Sequence, residues 1–538
     1  MSKNYTRRDM LTLTGRALVV GAAGTHVGLT AEKKPAGPET AAKTKPASVT
    51  GEATGAAIGE RILAGGGHAI DAVVAAALTA CVTSPSKCGV GGYGGHLIVA
   101  LAGTGKITAI DFNSTAPAAA RPDMYPLDAK GAVIGQVNFH GWQAVGVPGT
   151  MAGLQLALDR YGTRSFRELV APAIEFAEKG FRLTDQGTAT AARIFKTNPP
   201  KPGEPFRNPK LAALLKTLAR RNSVESFYRG DIARRMATAI GRNGGLVTFE
   251  DLAAYRAREV EPLRLEWQDF AVYTAPLTAG GLTVLEMLSI AKALNWENLP
   301  APERTHARLE AQRCAWKDRL ELLGDPERVH VPVGRLLSAE HARDTAARIQ
   351  AAVKEKKPLA IQVEANPEEG TTNISAADQL GNMAAITLTH GHGFGAQVLV
   401  EEFGLVLGHG MSRFNPRPGH PNSIAPGKRP LHNMCPSIVL RAGKPVLALG
   451  GAGGLLIPNS MFNVLLQYVT GGGLMEPALA APRLQNTGAL EVSVEKNWPE
   501  AEIEYLQRVG FKMRTGLSAY VSAVSLDPRT RERNAKSR

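Results

Sequence analysis

The chain holds 538 residues, 44% of them hydrophobic and 20% charged, with a formal net charge of +14 and four cysteines. That apolar share excludes a disordered or fibrous chain and leaves room for a large buried core. Part of the charge is peripheral (Arg7, Arg8 and Arg16 at the start; Arg529, Arg531, Arg533, Lys536 and Arg538 at the end), with no arginine-rich helix or aromatic-basic stripe, so no nucleic-acid partner is expected. Four cysteines are too few for a disulfide framework and none has Cys-x-x-Cys spacing, so buried free thiols are expected. Cys81 and Cys88 are the two that could pair in an oxidising compartment.

In chain order, Arg7-Arg8 precedes a short apolar run from Ala17 to Leu29 and a Lys/Pro/Ala-rich stretch from Glu32 to Ser48. Paired arginines before a modest apolar segment have the form of a twin-arginine export signal over residues 1–31, with residues 32–48 as linker. Export to the periplasm is expected, and the run is too short and glycine-rich for a membrane span. Gly66 to Ala77 predicts an apolar helix of small residues, followed by the glycine-rich Cys88 to Gly95 and a strand from His96 to Leu101. Phe166 to Gly180 predicts an amphipathic helix closed by Gly180, and Thr248 a capped helix start. Pro302 to Lys357 is charged throughout and predicts solvated surface helix.

Val363 to Glu369 is acidic and lacks apolar periodicity, the mark of an exposed loop. Directly after Gly370, Ile374–Asp378 and Met383–Thr389 predict two strands joined by a turn at Gly381-Asn382. Thr371 therefore stands where an accessible peptide bond meets the start of a sheet. Cleavage after Gly370 would give Thr371 a free α-amine beside its own hydroxyl. Such an amine, with a pKa of about 7.7–8.0, can take the hydroxyl proton through water near neutral pH. The bland reading is a threonine pair opening a strand.

Further strands are predicted at Gln397–Val400, Ser437–Arg441, Pro445–Leu449 and Leu490–Val494, with a helix over Asn459–Thr470 after Gly450-Gly451-Ala452-Gly453-Gly454. Helices followed by antiparallel hairpins predict a layered α+β fold. The glycine tract lacks the Lys-Ser/Thr ending of a P-loop. It is open to phosphate binding, to oxyanion binding through backbone N–H groups, or to a packing turn.

Together these segments resemble the γ-glutamyltranspeptidase (glutathione hydrolase) family of N-terminal-nucleophile hydrolases. The resemblance rests on Gly66-Gly67-His68-Ala69-Ile70-Asp71-Ala72, Cys88 to Gly92, Thr115-Ala116-Pro117, Val145 to Thr150 and Gly245 to Leu252. It continues through Thr371-Thr372-Asn373-Ile374-Ser375, Pro426 to Leu431 and Ala481-Pro482-Arg483, in collinear order from about residue 49 to 529. It implies an αββα sandwich made as one precursor and self-cut into a large (49–370) and a small (371–538) subunit. By the match, Thr371 is the nucleophile, Thr389 orients it, and the Gly453 and Gly454 amides form an oxyanion hole. A small-molecule amide is the implied substrate, and no cofactor is expected.

The donor-binding positions depart from that pattern. The family's arginine after Asp111-Phe112 is Asn113 and its following acid is Ser114; its asparagine two residues after Thr389 is Gly391. Its paired aspartates are Ser412 and Arg413, and its two serines after Leu431 are His432 and Asn433. Arginine to asparagine removes a bidentate carboxylate clamp, and aspartate to Arg413 reverses the charge that would hold an ammonium. Asn113, Arg413, His432 and Asn433 are thus the candidate substrate-binding residues. Weak or absent γ-glutamyl turnover is expected. Three readings stay open: a γ-glutamyl hydrolase or transferase, an amidase of the same fold with another acyl donor, and a non-catalytic processed homologue. His390, His392, His409, His420 and His432 match no metal-ligand spacing and are expected to be polar lining or surface.

Overall fold

Two six-stranded antiparallel sheets form the centre of the structure. The computed structural model describes residues 48–361, 363, 370–391 and 393–538; Arg7-Arg8, the linker up to residue 47, residue 362, residues 364–369 and His392 lie outside the described residues. The first sheet contains β1 (Val49–Gly51), β2 (Gly94–Leu101), β3 (Lys106–Asp111), β4 (Arg258–Val260), β7 (Thr372–Ala377) and β8 (Met383–Thr389). The second contains β5 (Leu263–Trp267), β6 (Phe270–Thr274), β9 (Ser437–Arg441), β10 (Lys444–Ala452), β11 (Tyr520–Leu526) and β12 (Arg533–Ser537). Their orders are β1-β7-β8-β2-β3-β4 and β12-β11-β10-β9-β6-β5, antiparallel throughout.

A period of two assigns each residue to one face. Ile98, Ala100, Ala377, Met383 and Ala385 meet Ile438, Leu440, Ala448, Val524 and Leu526 between the sheets. Their neighbours Leu97, Val99, Ile374, Ala384, Ile386 and Leu388 face outward onto helices α1 (Ala53–Ala64) and α2 (Ala69–Thr83). On the far side, Val439, Leu447, Leu449, Val521 and Ala523 face helices α4 (Gly281–Ala293), α5 (Ala301–Leu322), α6 (Ala339–Glu355) and α7 (Leu456–Thr470). The layers are therefore helix, sheet, sheet, helix, as expected of an αββα sandwich. Each sheet combines strands from before and after Gly370, so the two sides of that bond form one folding unit.

Helix α2 is buried all round, as its run of small residues predicts. The amphipathic α3 (Phe166–Lys179) opens on a Ser165–Glu168 capping box and ends where Gly180 adopts φ +98°. Two expectations need correction. Only Leu399–Val400 pairs as strand in the 397–400 stretch, against Leu405–Val406. Helix α5 is not solvated surface: His306, Arg308, Glu310, Gln312, Arg313 and Arg319 on it are all buried. Their partners explain this. Arg313 pairs with Glu310 at 2.9 Å and donates to the Ile361 carbonyl at 2.9 Å, while Arg308 lies over the rings of Trp296 and Trp498. Buried charge survives when it is paired and hydrogen-bonded.

The four cysteines are buried free thiols. Among the described residues, no helix is long and apolar enough to cross a membrane.

Candidate active site

Residue 371 immediately precedes β7, and the register pairs Thr372 with Leu388, so Thr371 lies across from Thr389 at the end of β8. Gly370 turns the chain with φ +78°, and its carbonyl oxygen receives two hydroxyls. Thr371 Oγ1 donates to it at 2.6 Å and Thr389 Oγ1 at 2.7 Å. The Gly391 N–H in turn donates to Thr389 Oγ1 at 2.7 Å. Both threonines are buried. The sequence-expected nucleophile and orienter are thus brought together on one carbonyl.

Across the sandwich, β10 packs against β7 and β8. Ala448 shares the inter-sheet layer with Ala385, and two residues on, Gly450 lies against Asn373 and Thr387. A Cβ on Gly450 would fall 2.0 Å from the Asn373 amide and 3.0 Å from Thr387 Oγ1, so only glycine lets the sheets approach here. Gly453-Gly454 follow directly on the end of β10 at Ala452. Gly453 and Gly454 take φ of +143° and +58°, and Leu455 then takes φ −58° before α7 begins. The N-terminus of α7 adds partial positive charge beside this turn.

The four candidate binding residues are buried near one another, joined through loop backbone. Asn113 Nδ2 donates to Thr278 Oγ1 at 2.7 Å and to the Pro430 carbonyl at 2.6 Å. The His432 N–H donates to the Thr278 carbonyl at 3.1 Å. Arg319 reaches from α5 and donates to the His432 carbonyl and to Asn433 Oδ1, both at 2.9 Å. Arg413 closes a short 3-10 turn from Gly410, and its carbonyl accepts from Asn422 Nδ2 at 2.8 Å. Asn422 Oδ1 accepts from the Leu431 N–H at 3.0 Å, tying Arg413 to the His432 loop.

One buried histidine beside the candidate site was not among the sequence candidates. His96 occupies an inward position of β2, opposite Thr387 and Asp111. His432 Nδ1 accepts from the Met434 N–H at 3.2 Å, which leaves Nε2 to donate to His96 Nδ1 at 3.1 Å. His96 Nε2 then faces Asp111 Oδ1 at 3.4 Å, and Asp111 is paired with Arg258 at 2.5 Å and Arg429 at 3.4 Å. Burial lowers His96 to about 4, against the pull of Asp111. His432 is lowered by burial and then by His96, Arg319 and Arg413. For Asp111 burial acts upward, but His96, Arg429 and Arg258 outweigh it and hold the carboxyl below its ordinary range.

His409, expected as polar lining or surface, is buried. Its ring fills the space beside Gly391, where a Cβ would lie 2.0 Å from His409 Nε2. Its Nδ1 meets Ser412 Oγ at 2.5 Å, and burial followed by Arg413 lowers its pKa. His390 is buried in an apolar pocket with Phe181, Phe195 and Phe206, which lowers it to about 3. The alternation of β2 and the glycine at 391 were the available signals for His96 and His409. At neutral pH the wall next to the threonines carries neutral imidazoles and the Arg413 guanidinium, and Asp111 is already held by two arginines. The arrangement places two threonine hydroxyls on the Gly370 carbonyl and a glycine turn at a helix N-terminus after β10.

Comparison with known proteins follows the same lines. The γ-glutamyltranspeptidase family profile matches residues 55–538. A glutathione hydrolase proenzyme of Pseudomonas sp. strain A14 is 34% identical over 469 residues, covering 81% of this chain and 80% of the relative. An acylase ACY 1 proenzyme of Pseudomonas sp. strain SE83 is 31% identical over 509 residues, covering 90% and 89%. The crystal structure of cephalosporin acylase from Bacillus halodurans superposes with a TM-score of 0.80 at 26% identity, covering 94% of this chain and 98% of that one.

Proposed function

The chain belongs to the γ-glutamyltranspeptidase family, and on that premise we propose that it cuts itself between Gly370 and Thr371 and then works as an N-terminal threonine amidase. The observation that carries the reading is the pair of hydroxyls on the Gly370 carbonyl. In maturation Thr371 Oγ1 adds to the Gly370 carbonyl carbon. The Thr389 hydroxyl donates to the oxygen that gains charge. The C–N bond breaks as the nitrogen takes a proton, leaving Gly370 as an ester on Thr371. Water hydrolyses that ester, giving a Gly370 carboxylate and a free Thr371 amine. In turnover this amine accepts the Thr371 hydroxyl proton as Oγ1 attacks the substrate amide. Gly453 and Gly454 N–H groups hold the oxyanion, the substrate amine leaves with a proton, and water or an amine acceptor releases the acyl group.

The acyl donor in this reading ends in a carboxylate or a neutral group, not in an α-amino acid head. Arg413 and the neutral His409 and His432 offer no counter-charge to an ammonium, and removing one partner of a desolvated ion pair costs about 2–5 kcal/mol. The relative named an acylase supports this class. The relatives named glutathione hydrolases favour a second reading, a γ-glutamyl donor. Chromogenic anilides separate them: glutaryl-anilide cleavage exceeding γ-glutamyl-anilide cleavage supports the first, and the reverse order refutes it. Two bands on a denaturing gel for the wild type and one for Thr371→Ala test self-cleavage. Export by a leader over residues 1–31 completes the reading, and cell fractionation of an Arg7→Lys, Arg8→Lys variant tests it.

A further inference from the structure

Helices α4, α5 and α6, in the layer that covers the second sheet, each contribute one metal-ligating side chain to a common point, Glu286, Asp318 and His341. His341 Nε2 lies 3.0 Å from Glu286 Oε1 and 3.5 Å from Asp318 Oδ2. One ligand atom from each residue falls within 4.8 Å of the others. A single imidazole nitrogen can donate to only one of the two carboxylates, and Glu286 Oε2 is buried with no hydrogen-bond partner. The Glu286 side chain is 1% exposed, deep enough that an unserved carboxylate oxygen is costly.

We propose that Glu286, Asp318 and His341 bind one divalent transition-metal ion, Zn2+ in the first place, through three protein ligands and one open position.

The spacing agrees with this. Zinc bonds of about 2.0–2.2 Å to nitrogen and oxygen in a tetrahedron put neighbouring ligand atoms roughly 3.3–3.6 Å apart. The observed 3.0 and 3.5 Å lie close to that separation, so small side-chain rotations suffice. Asp318 and His341 also line a cavity of about 380 Å3, which gives the ion an entry path and leaves the fourth position facing open space. A histidine with two carboxylates suits zinc or manganese and is a poor set for copper(I). Arg335 and Arg348 on the cavity wall offset part of the negative charge, while Lys317 is engaged by Glu321 at 2.5 Å. The competing arrangement is a proton shared between Glu286 and Asp318; burial and then Asp318 do raise the Glu286 carboxyl above its ordinary value. A bound dication replaces that proton.

The experiment uses the untagged full chain, stripped with EDTA and dialysed. Calorimetric titration with Zn2+ is expected to give one ion per chain. Co2+ in its place should give the strong visible absorption of four-coordinate cobalt. His341→Ala, Asp318→Asn and Glu286→Gln should each weaken binding by about tenfold or more and abolish the cobalt spectrum. The Asp318 side chain is 16% exposed against 1% for Glu286, so Asp318→Asn carries the test if the Glu286 variant misfolds. Absence of binding by the wild type would establish the shared proton instead and overturn the proposal. Binding that survives His341→Ala and Asp318→Asn undiminished would overturn it as well.

Discussion

Thr389→Val isolates the second hydroxyl on the Gly370 carbonyl. Valine keeps the shape of threonine, so the change removes one donor at 2.7 Å from the Gly370 oxygen and one acceptor at 2.7 Å from the Gly391 N–H. In the folded precursor the second loss leaves a buried N–H unserved, which costs about 1–3 kcal/mol of stability. A chain of this size with a continuous core can absorb that. The first loss acts on the rate. Removing one donor from a developing oxyanion costs about 2.7–4 kcal/mol of barrier, a slowing on the order of 10²–10³. Cell-free synthesis followed by a timed denaturing gel reads the conversion of one band into two. Thr371→Ala marks zero conversion and Thr389→Ser, which retains the hydroxyl, should convert close to the wild-type rate. Circular dichroism on each variant separates slow chemistry from failed folding. If folded Thr389→Val matures as fast as wild type, the second hydroxyl is incidental to cleavage and the reading of the carbonyl geometry is wrong.

Gly450→Ala should lower the urea midpoint by the equivalent of about 1–3 kcal/mol, because its Cβ would lie 2.0 Å from the Asn373 amide; an unchanged midpoint would mean the sheets can part without cost. His390 stays neutral down to about pH 3 in the folded chain, whereas the unfolded chain takes up the proton near 6.5. Its contribution is therefore complete above pH 6.5 and lost as the pH falls toward 3. Between pH 7.5 and 5 this amounts to about 2 kcal/mol, and His390→Leu should flatten the stability profile by that amount in parallel urea melts. Arg413→Gln should reduce kcat/KM for a carboxylate-ended anilide by roughly 10- to 100-fold with self-cleavage unchanged on gels, since a lost charge-assisted contact is worth about 1.5–3 kcal/mol. An equal loss on a neutral acyl anilide would show that Arg413 acts through the fold instead.

The hairpin at Thr371 was legible because its signals are local: a period of two, a Gly-Asn turn and an acidic run before it. The layered fold followed from the same alternation in the later strands. Helix α5 was not legible, since hydropathy counts its charges but cannot see their partners, which come from Ile361, His432 and Asn433 far along the chain. Gly391 was readable as the loss of a ligand; that an imidazole from residue 409 occupies the space required the loop geometry. Glu286, Asp318 and His341 have no motif spacing because each sits on a different helix.

The two halves of the candidate site differ in how they are built, and on the proposed reading this lets the second vary while the first stays fixed. Thr371, Thr389, Gly453 and Gly454 lie at the ends of β7, β8 and β10, strands locked by register and by a sheet spacing that tolerates no Cβ at Gly450. A shift there disturbs the entire inter-sheet layer. Arg413, His432 and Asn433 sit instead in loops whose hydrogen bonds run mostly through backbone carbonyls: Asn422 to Arg413, Arg319 to His432, Asn113 to Pro430. Backbone acceptors are indifferent to the side chain that displays them, so the charge facing a donor can reverse without moving the loop. On the proposed reading, chemistry belongs to the sandwich and selectivity to side chains that the sandwich does not constrain.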